Sequence, residues 1–284
     1  SVGLGDAYKS QDSPLLRVRQ HLTGEPLAAL ALDDLTGQVG RLDAAPGWHD
    51  RLAAMRAALA RTETPPSTLK ARLRDYQLQG FQWLARLAHL GFGACLADDM
   101  GLGKTLQTLV HIQVEKDAGR LAHPALILAP VSLMGNWQRE AARFCPQLRT
   151  LVLHGKERHA VADSMTEHDV VIAPYSLLQR DRDRWLGAEW HLVVLDEAQK
   201  IKSPGTRVTS AVKAMNADFF LAMTGTPVEN RLADLWCIAD AVQPGALADL
   251  KDFSARYETE GADVQALRQL VWQSEEHAPG LPPR

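Results

Sequence analysis

The segment "ADDMGLGKTLQT", residues 97–108, has the residue types of a loop that binds phosphate groups. Gly103, Lys104 and Thr105 match the second half of the pattern Gly-x-x-x-x-Gly-Lys-Thr, which cradles the phosphates of nucleotides. The first glycine of that pattern is replaced by Asp98. The segment is therefore either a nucleotide site with an altered first residue or an accidental Gly-Lys-Thr in a solvated, glycine-rich turn.

In a nucleotide site, each residue of this loop would have a defined task. Gly101 and Gly103 would let the backbone approach a phosphate closely. The helix predicted to begin near Lys104 would present free N–H groups and its positive dipole end to that anion. Lys104 would reach the β- and γ-phosphates, and the Thr105 hydroxyl would bind Mg²⁺. The predicted nucleotide-binding set is Gln77, Met100, Gly101, Leu102, Gly103, Lys104, Thr105 and Leu106.

A second chemical segment, "HLVVLDEAQ", ends an apolar run with two adjacent carboxylates. Asp196, at the end of a buried strand, can bind Mg²⁺, and Glu197 can orient and deprotonate an attacking water. The pair alone could equally cap a helix. Combined with the glycine loop, it predicts one Mg²⁺–triphosphate site in which Lys104, Asp196 and Glu197 are catalytic, and Thr105 and Asp196 bind the metal.

Two further segments carry side chains that suit this site. Gln77, in "LRDYQ", has an amide that can pair with the donor and acceptor of an adenine edge, although a surface glutamine is the alternative. Thr224 and Thr226, in "TGTPVEN", place two hydroxyls at another predicted strand end, where Pro227 stiffens the turn. An ordinary strand-to-helix loop is the alternative for that segment.

Six short apolar runs predict the strands that would position these loops: "FGACLA", "ALILAP", "TLVLH", "DVVIAP", "HLVVLD" and "FFLAM". Runs of this length, rich in Val, Ile and Leu, are typical of strands buried on both faces. Helical patterns between them include 104–117, 134–144 and 206–215, and an amphipathic helix before them stops at Gly91. This alternation predicts an α/β fold with a mostly parallel sheet and helices on both faces.

Ligands of such sheets bind at the carboxyl ends of the strands. Five of the runs are followed by polar or glycine-rich segments: "DDMGLGKT", "PVSLMGNW", "PYSLL", "DEAQ" and "TGTPVEN". The sequence therefore predicts that its chemistry lies along one edge of the sheet.

Residues 1–68 differ from the rest of the chain. They contain short amphipathic pieces such as "WHDRLAAMRAALAR" and end in the Pro-rich "TETPPST", which is typical of a linker. We interpret 1–68 as a helical appendage or the tail of an upstream domain, and 69–284 as the nucleotide-binding lobe.

Composition excludes several classes of protein. The 284 residues are 46% hydrophobic with a net charge of −3, so any nucleic-acid surface must be local. Three scattered cysteines without a Cys-x-x-Cys pair predict reduced thiols and no structural zinc site. No apolar run reaches the ~20 residues that span a bilayer, and no signal peptide opens the chain. We expect a cytoplasmic protein, associated with the nucleoid if it is bacterial.

Together the motifs resemble the Swi/Snf-type branch of helicase superfamily two, which contains chromatin remodellers and their bacterial relatives. The matching segments are "LRDYQLQGFQWL", "ADDMGLGKTLQTL", "LILAPVSLMGNWQRE", "VVIAPYSLL", "VVLDEAQKIKSPGT" and "AMTGTPVENRLADLW", in the family's order over residues 69 to about 258. The resemblance also accounts for Asp98, because Asp-Asp-Met-Gly-Leu-Gly-Lys-Thr is that family's form of the phosphate loop.

The resemblance implies a RecA-like lobe of an ATPase that moves along duplex DNA, usually without separating the strands. Gln77 would contact adenine, and Gln199, Thr224 and Thr226 would couple the nucleotide to the DNA surface. Hydroxyls, an amide and cations on loops of one sheet edge suit contacts with phosphates. The residues expected to face the DNA backbone are Ser132, Asn136, Trp137, Tyr175, Ser176, Lys200 and Lys202.

The sequence departs from the family pattern in two places. Gln199 stands where many members have His, and because its amide both donates and accepts, coupling is expected to survive. Beyond residue 265 the resemblance is loose and the usual arginine-rich stretch is missing. No second set of motifs follows, so we expect the first lobe of a longer protein. The second RecA-like lobe would supply arginine fingers, which are worth roughly 10³–10⁵ in rate.

Two other functions stay open. The chain could be a nucleotide-gated binding module that recruits partners, with hydrolysis incidental. It could also belong to an RNA-dependent ATPase of the same superfamily. Stimulation of ATP hydrolysis by duplex DNA, single-stranded DNA or RNA would distinguish these functions, and no stimulation by any of them would favour the module.

Overall fold

The structure, a computed structural model, describes residues 53, 56–58, 60–155, 162–201, 206–225, 232–244, 250–251, 254 and 271–272. The chain divides into two units, Ser1–Arg61 and Thr62–Arg284. In the first unit residues 53, 56–58 and 60 are helical, and residues 1–52 of the predicted appendage lie outside the described residues. The last part of that appendage, 62–68, contains no helix and belongs to the second unit.

In the described part of the second unit, seven parallel strands form one sheet. They are β1 (Ala94–Leu96), β2 (Ala125–Ala129), β3 (Thr150–Val152), β4 (Val170–Pro174), β5 (Glu189–Leu195), β6 (Asn216–Met223) and β7 (Val271–Trp272). Their order across the sheet is β3-β4-β2-β5-β6-β1-β7. The predicted α/β fold with a mostly parallel sheet is confirmed.

One helix precedes β1, and further helices lie between most of the strands. They are α1 (Asp75–Leu90), α2 (Lys104–Asp117), α3 (Val131–Phe144), α4 (Leu177–Arg180), α5 (Arg182–Gly187), α6 (Arg207–Lys213) and α7 (Leu232–Val242), with 3-10 turns at Ala162–Glu167 and Ala198–Ile201. The bounds predicted for α2 are confirmed. α3 begins three residues earlier than predicted, directly after Pro130, whose fixed φ suits a position just ahead of a helix. In α6 the Thr206 hydroxyl caps the helix by accepting from the Thr209 N–H at 3.2 Å.

Two neighbouring strands of the sheet, β2 and β4, carry no charged side chain and are rich in Ala, Val, Ile and Leu. Every residue of β2 and β4 is buried, as expected for a parallel sheet covered on both faces. The main core includes Trp185 and Trp190, whose stacked rings lie 6.0 Å apart. A smaller cluster includes Phe81 of α1 and Val110 of α2. No helix among the described residues is long and apolar enough to cross a lipid bilayer.

The segments that follow β1, β2, β4, β5 and β6 define what we call the carboxyl edge. These five strands are consecutive neighbours across the sheet, so the loops after them lie side by side. The ladder continues past the strand ends, because Asp196 N–H donates to the carbonyl of Leu128 at 2.8 Å and Thr224 N–H to that of Leu96 at 3.1 Å. The fold therefore brings the predicted chemical segments to one edge.

Candidate active site

The loop between β1 and α2 turns on two glycines with left-handed backbones. Gly101 has a φ of 85° and Gly103 a φ of 83°, values at which a residue with a side chain is strained. Gly103 has a second constraint, because a Cβ atom there would overlap Nε2 of Gln77. α2 begins at Lys104, so the first N–H groups of the helix, which have no partner within it, border this loop.

The other loop residues divide into exposed and buried positions. Met100 is 70% exposed and Gly101 is exposed, whereas the side chains of Leu102 and Leu106 are buried. Leu102 and Leu106 can therefore meet a nucleotide only through their backbone. Thr105, the second residue of α2, is half-buried at the carboxyl edge.

Asp98, which replaces the first glycine of the common pattern, is fully buried. Its carboxylate accepts from Nε2 of Gln107, a buried residue of α2, at 3.5 Å. Its carbonyl oxygen accepts from the Lys104 ammonium at 2.6 Å. Asp98 therefore joins the loop to the first turns of α2, and of its two bonds the one to Gln107 requires a side chain that glycine lacks.

Lys104 lies among carbonyl and carboxylate oxygens. Besides the Asp98 carbonyl, its ammonium donates to the carbonyl of Asp99 at 3.0 Å. Burial lowers the pKa of Lys104, while the charges of Asp98, Glu197, Asp196 and Asp99 oppose that shift. The charges of both residues of the Asp-Glu pair therefore act on Lys104, so the glycine loop lies near the end of β5.

Asp196 is held by two hydrogen bonds directly after β5. Oδ1 accepts from the Glu197 N–H at 2.9 Å, and Oδ2 accepts from the indole Nε1 of Trp137 at 2.7 Å. Asp196 is 7% exposed, and burial raises the pKa of its carboxyl group, with the hydrogen bond from Trp137 acting against that shift. A divalent cation would add the opposite charge that a buried carboxylate lacks.

Glu197 has the left-handed backbone expected of glycine, with a φ of 51°. It is the one non-glycine residue with a positive φ among those the structure describes. Such strain is costly and concentrates at functional sites. Here it turns the chain from β5 into the 3-10 turn at Ala198–Ile201.

Gln199 joins this turn to the end of β6. Its Nε2 donates to a carboxylate oxygen of Glu197, and its Oε1 accepts from the Thr224 hydroxyl at 2.9 Å. The amide uses one donor and one acceptor, which a neutral histidine could also supply. The coupling role of Gln199 and Thr224 stays a prediction, and Thr226 lies outside the described residues.

Gln77 contacts the glycine loop itself. The residue is 8% exposed, and its Nε2 donates to the carbonyl of Leu102 at 3.1 Å. Its Oε1 accepts from the Arg74 N–H at 3.0 Å, which satisfies the backbone donor of the N-cap residue at the start of α1. Contact with adenine stays a prediction for Gln77.

Of the residues predicted to face DNA, Ser132, Ser176 and Lys200 are exposed, and Asn136 is half-buried with its amide bonded to Glu140 at 2.9 Å. Lys202 lies outside the described residues. For these positions DNA contact stays a prediction.

For Trp137 the prediction is wrong, because the side chain is 1% exposed and turns inward to Asp196. Tyr175 is half-buried, and its hydroxyl donates to the backbone carbonyl of Asp196 at 2.8 Å, so its contact with DNA stays a prediction. Burial raises the pKa of Tyr175 well above its usual value. A sequence signal for Trp137 existed, since Met134, Trp137 and Ala141 recur at helical spacing and are the buried residues of α3.

The family identified by comparison with known proteins matches residues that lie within the second unit of the chain. The SNF2-related domain family matches residues 76–274. A Bacillus subtilis protein provisionally named an ATP-dependent helicase/translocase, YwqA, is 42% identical over 194 residues, or 67% of this chain and 21% of its own length. The ISWI chromatin-remodeling complex ATPase CHR11 of Arabidopsis thaliana is 31% identical over 71% of this chain and 20% of its own. The chain thus spans about a fifth of the length of these relatives.

A solved structure shares the fold. The SWI2/SNF2 ATPase core of Sulfolobus solfataricus, in complex with double-stranded DNA, matches with a TM-score of 0.69 and 36% sequence identity. The match covers 75% of this chain and 46% of the Sulfolobus chain. The family match over most of the residues, and the solved fold, agree with the motifs from which the resemblance was inferred. The chain belongs to the SNF2-related domain family, with the RecA-like fold of its ATPase core.

Proposed function

We propose that this chain is the first, nucleotide-binding lobe of a DNA-dependent ATPase that couples ATP hydrolysis to movement along duplex DNA. The observation that carries the proposal is the convergence of Lys104, Asp196 and Glu197 at the carboxyl edge, beside the start of α2. The names of the relatives support the same function, since one is called an ATP-dependent helicase/translocase and one core was solved on double-stranded DNA.

The residues present fit a nucleoside triphosphate. The space beside Gly101 is open, since a Cβ atom there would meet nothing within 4 Å, and the first turn of α2 has N–H donors for an anion. Lys104 is bonded to two peptide carbonyls, which are weaker acceptors than charged phosphate oxygens. The ammonium can therefore exchange the Asp98 and Asp99 carbonyls for the β- and γ-phosphates.

The donor set also fits Mg²⁺, which prefers oxygen ligands and phosphates. The Thr105 hydroxyl and the Asp196 carboxylate are the oxygens that would hold it. When bound, the cation would neutralise charge that develops on the phosphates. Glu197, fixed beside Asp196 by its strained backbone and by Gln199, would orient a water and accept its proton.

A single lobe offers only part of the positive charge that phosphoryl transfer requires. The charged groups that act most strongly on Asp196 are Glu197 and Lys104, and those that act most strongly on Lys104 are the carboxylates of Asp98, Glu197, Asp196 and Asp99. We propose that arginine fingers come from a second RecA-like lobe, which together with duplex DNA is the partner of this chain. The 284-residue chain alone is then expected to hydrolyse ATP very slowly and to respond little to DNA. Robust DNA-stimulated phosphate release by this chain alone would contradict the two-lobe proposal.

The test is steady-state phosphate release by the full-length protein with no nucleic acid, duplex DNA, single-stranded DNA or RNA. We expect the largest stimulation by duplex DNA. Stimulation by RNA alone would indicate an RNA-dependent ATPase, and no stimulation by any of them would indicate a nucleotide-gated binding module.

A further inference from the structure

α3 has two faces with different surroundings. Ser132, in its first turn, is exposed and is predicted to contact the DNA backbone. Trp137, on the opposite face, is buried and donates its indole N–H to Oδ2 of Asp196 at 2.7 Å. One short helix therefore connects the predicted DNA surface with the predicted metal ligand.

The segment after β4 makes a second connection of the same kind. Ser176 is exposed, whereas its neighbour Tyr175 donates its hydroxyl to the Asp196 backbone carbonyl at 2.8 Å. Asp196 is thus held by its side chain from α3 and by its backbone from the end of β4. These two bonds come from two different segments that are predicted to face DNA.

The carboxylate has little freedom under these constraints. Oδ2 accepts from the indole of Trp137 and Oδ1 accepts from the Glu197 N–H, so the plane of the carboxylate is fixed by donors on both oxygens. Both bonds reach a residue that is 7% exposed, where solvent cannot readily replace a lost donor. Each oxygen keeps a further lone pair for a cation.

We propose that Trp137 and Tyr175 are positioning residues that fix Asp196 for Mg²⁺ and join the DNA-facing segments to the metal ligand. The inference rests on the proposed function, since it requires a Mg²⁺–nucleotide site. Partners that orient a metal ligand in this way are typically worth about 10–100-fold in metal affinity or activity. Displacement of α3 by DNA would move the donor of Asp196 directly, without any intermediate residue.

The test uses the full-length protein with Trp137→Phe, which keeps an aromatic ring and removes the N–H. ADP affinity is measured by titration calorimetry with Mg²⁺ and again with a chelator in its place. We expect the increase in affinity due to Mg²⁺ to fall about 10-fold or more, with metal-free ADP binding unchanged. A global loss of stability would not change the ratio of the two affinities in the folded protein.

Trp190→Phe is the matched control. Trp190 is also buried, and its N–H donates to the carbonyl of Trp185 at 3.3 Å in the main core. The proposal expects this control to keep the full Mg²⁺ effect. An equal loss in both variants, or an unchanged Mg²⁺ effect in Trp137→Phe, would overturn the proposal.

Tyr175→Phe, which removes a single hydroxyl, tests the second bond and stands in if Trp137→Phe does not fold. We expect a smaller loss of the Mg²⁺ effect, because the Asp196 side chain keeps its donors, together with weaker stimulation of phosphate release by duplex DNA. A Tyr175→Phe protein with the wild-type Mg²⁺ effect and the wild-type DNA stimulation would contradict the role of Tyr175. Wild-type protein that binds no ADP, with or without Mg²⁺, would instead refute the proposed function.

Discussion

Both edges of the sheet contain buried or partly buried charged groups, but the pKa values of these groups shift for different reasons at the two edges. At the carboxyl edge burial prevails: it lowers the pKa of Lys104 and raises that of Asp196, despite nearby opposite charges. At the opposite edge, which we call the amino edge, burial would raise the pKa of Glu115. Hydrogen bonds from His191 and Arg120 outweigh it and lower that pKa to about 2.

Asp169, directly before β4 on the amino edge, follows the same rule as Glu115. Burial would raise the pKa of its carboxyl group, but hydrogen bonds from Lys116, at 2.7 Å, and Arg149 lower it. The amino edge therefore holds completed ion pairs that stabilise the fold. The carboxyl edge holds charges whose compensation is incomplete, as expected where a ligand brings the missing charge.

The largest expected effect is on turnover. Glu197→Gln in the full-length protein keeps the shape of the side chain and loses the base, so we expect phosphate release to fall about 10²–10⁴-fold. ATP binding should stay nearly intact, since the amide still fits beside Asp196. Comparison of phosphate release with equilibrium ATP binding measures the two separately. Loss of binding and turnover together would show that Glu197 is structural, like the ion pairs of the amino edge.

For a substitution near the amino edge, we expect an effect on stability and not on turnover. His111 of α2 is buried with no hydrogen bond to either ring nitrogen, and burial lowers its pKa from 6.5 to about 4, although Glu115 favours the charged form and His191 opposes it. Because the pKa of His111 is lower in the folded state, only the unfolded state binds a proton as the pH falls below 6.5. The free energy of unfolding therefore decreases by about 3 kcal/mol between pH 6.5 and pH 4.

We therefore expect His111→Leu to make stability less dependent on pH in this window. Urea unfolding at pH 7 and pH 5, for wild type and variant, measures the difference. Identical losses of stability in the two proteins between these pH values would show that His111 does not titrate as the structure indicates.

The smallest expected effect concerns DNA. Lys200 is an exposed cation on the 3-10 turn that follows Glu197. Binding of duplex DNA should weaken gently with salt, and each phosphate neutralised contributes about 0.9 to the slope of log affinity against log salt concentration. Lys200→Ala should reduce that slope by about 0.9. An unchanged slope would remove Lys200 from the DNA surface, and a tight, sequence-specific complex at high salt would contradict backbone tracking.

Sequence patterns predict most of the fold because burial on both faces leaves an apolar run at each central strand, as in β2 and β4. They also predict the main chemical positions, since Lys104 begins a helix and Asp196 directly follows a strand. Sequence patterns do not predict features that depend on contacts between segments far apart in the chain. Trp137 is 59 residues from its acceptor, and its expected place on the DNA surface came from the resemblance, which does not show which way its side chain turns. The left-handed backbone of Glu197 has no sequence signal, because it is imposed by the surrounding structure.

The central claim is that the carboxyl edge, and not the amino edge, binds nucleotide. Titration calorimetry of Mg²⁺–ATP into wild type, Lys104→Ala and Glu115→Gln tests it directly, since each variant removes one buried charge from one edge. Lys104→Ala removes charge-assisted bonds worth about 1.5–3 kcal/mol. We expect a loss of affinity of at least about 10-fold in Lys104→Ala and none in Glu115→Gln. Equal affinities in wild type and Lys104→Ala would contradict the assignment of the site.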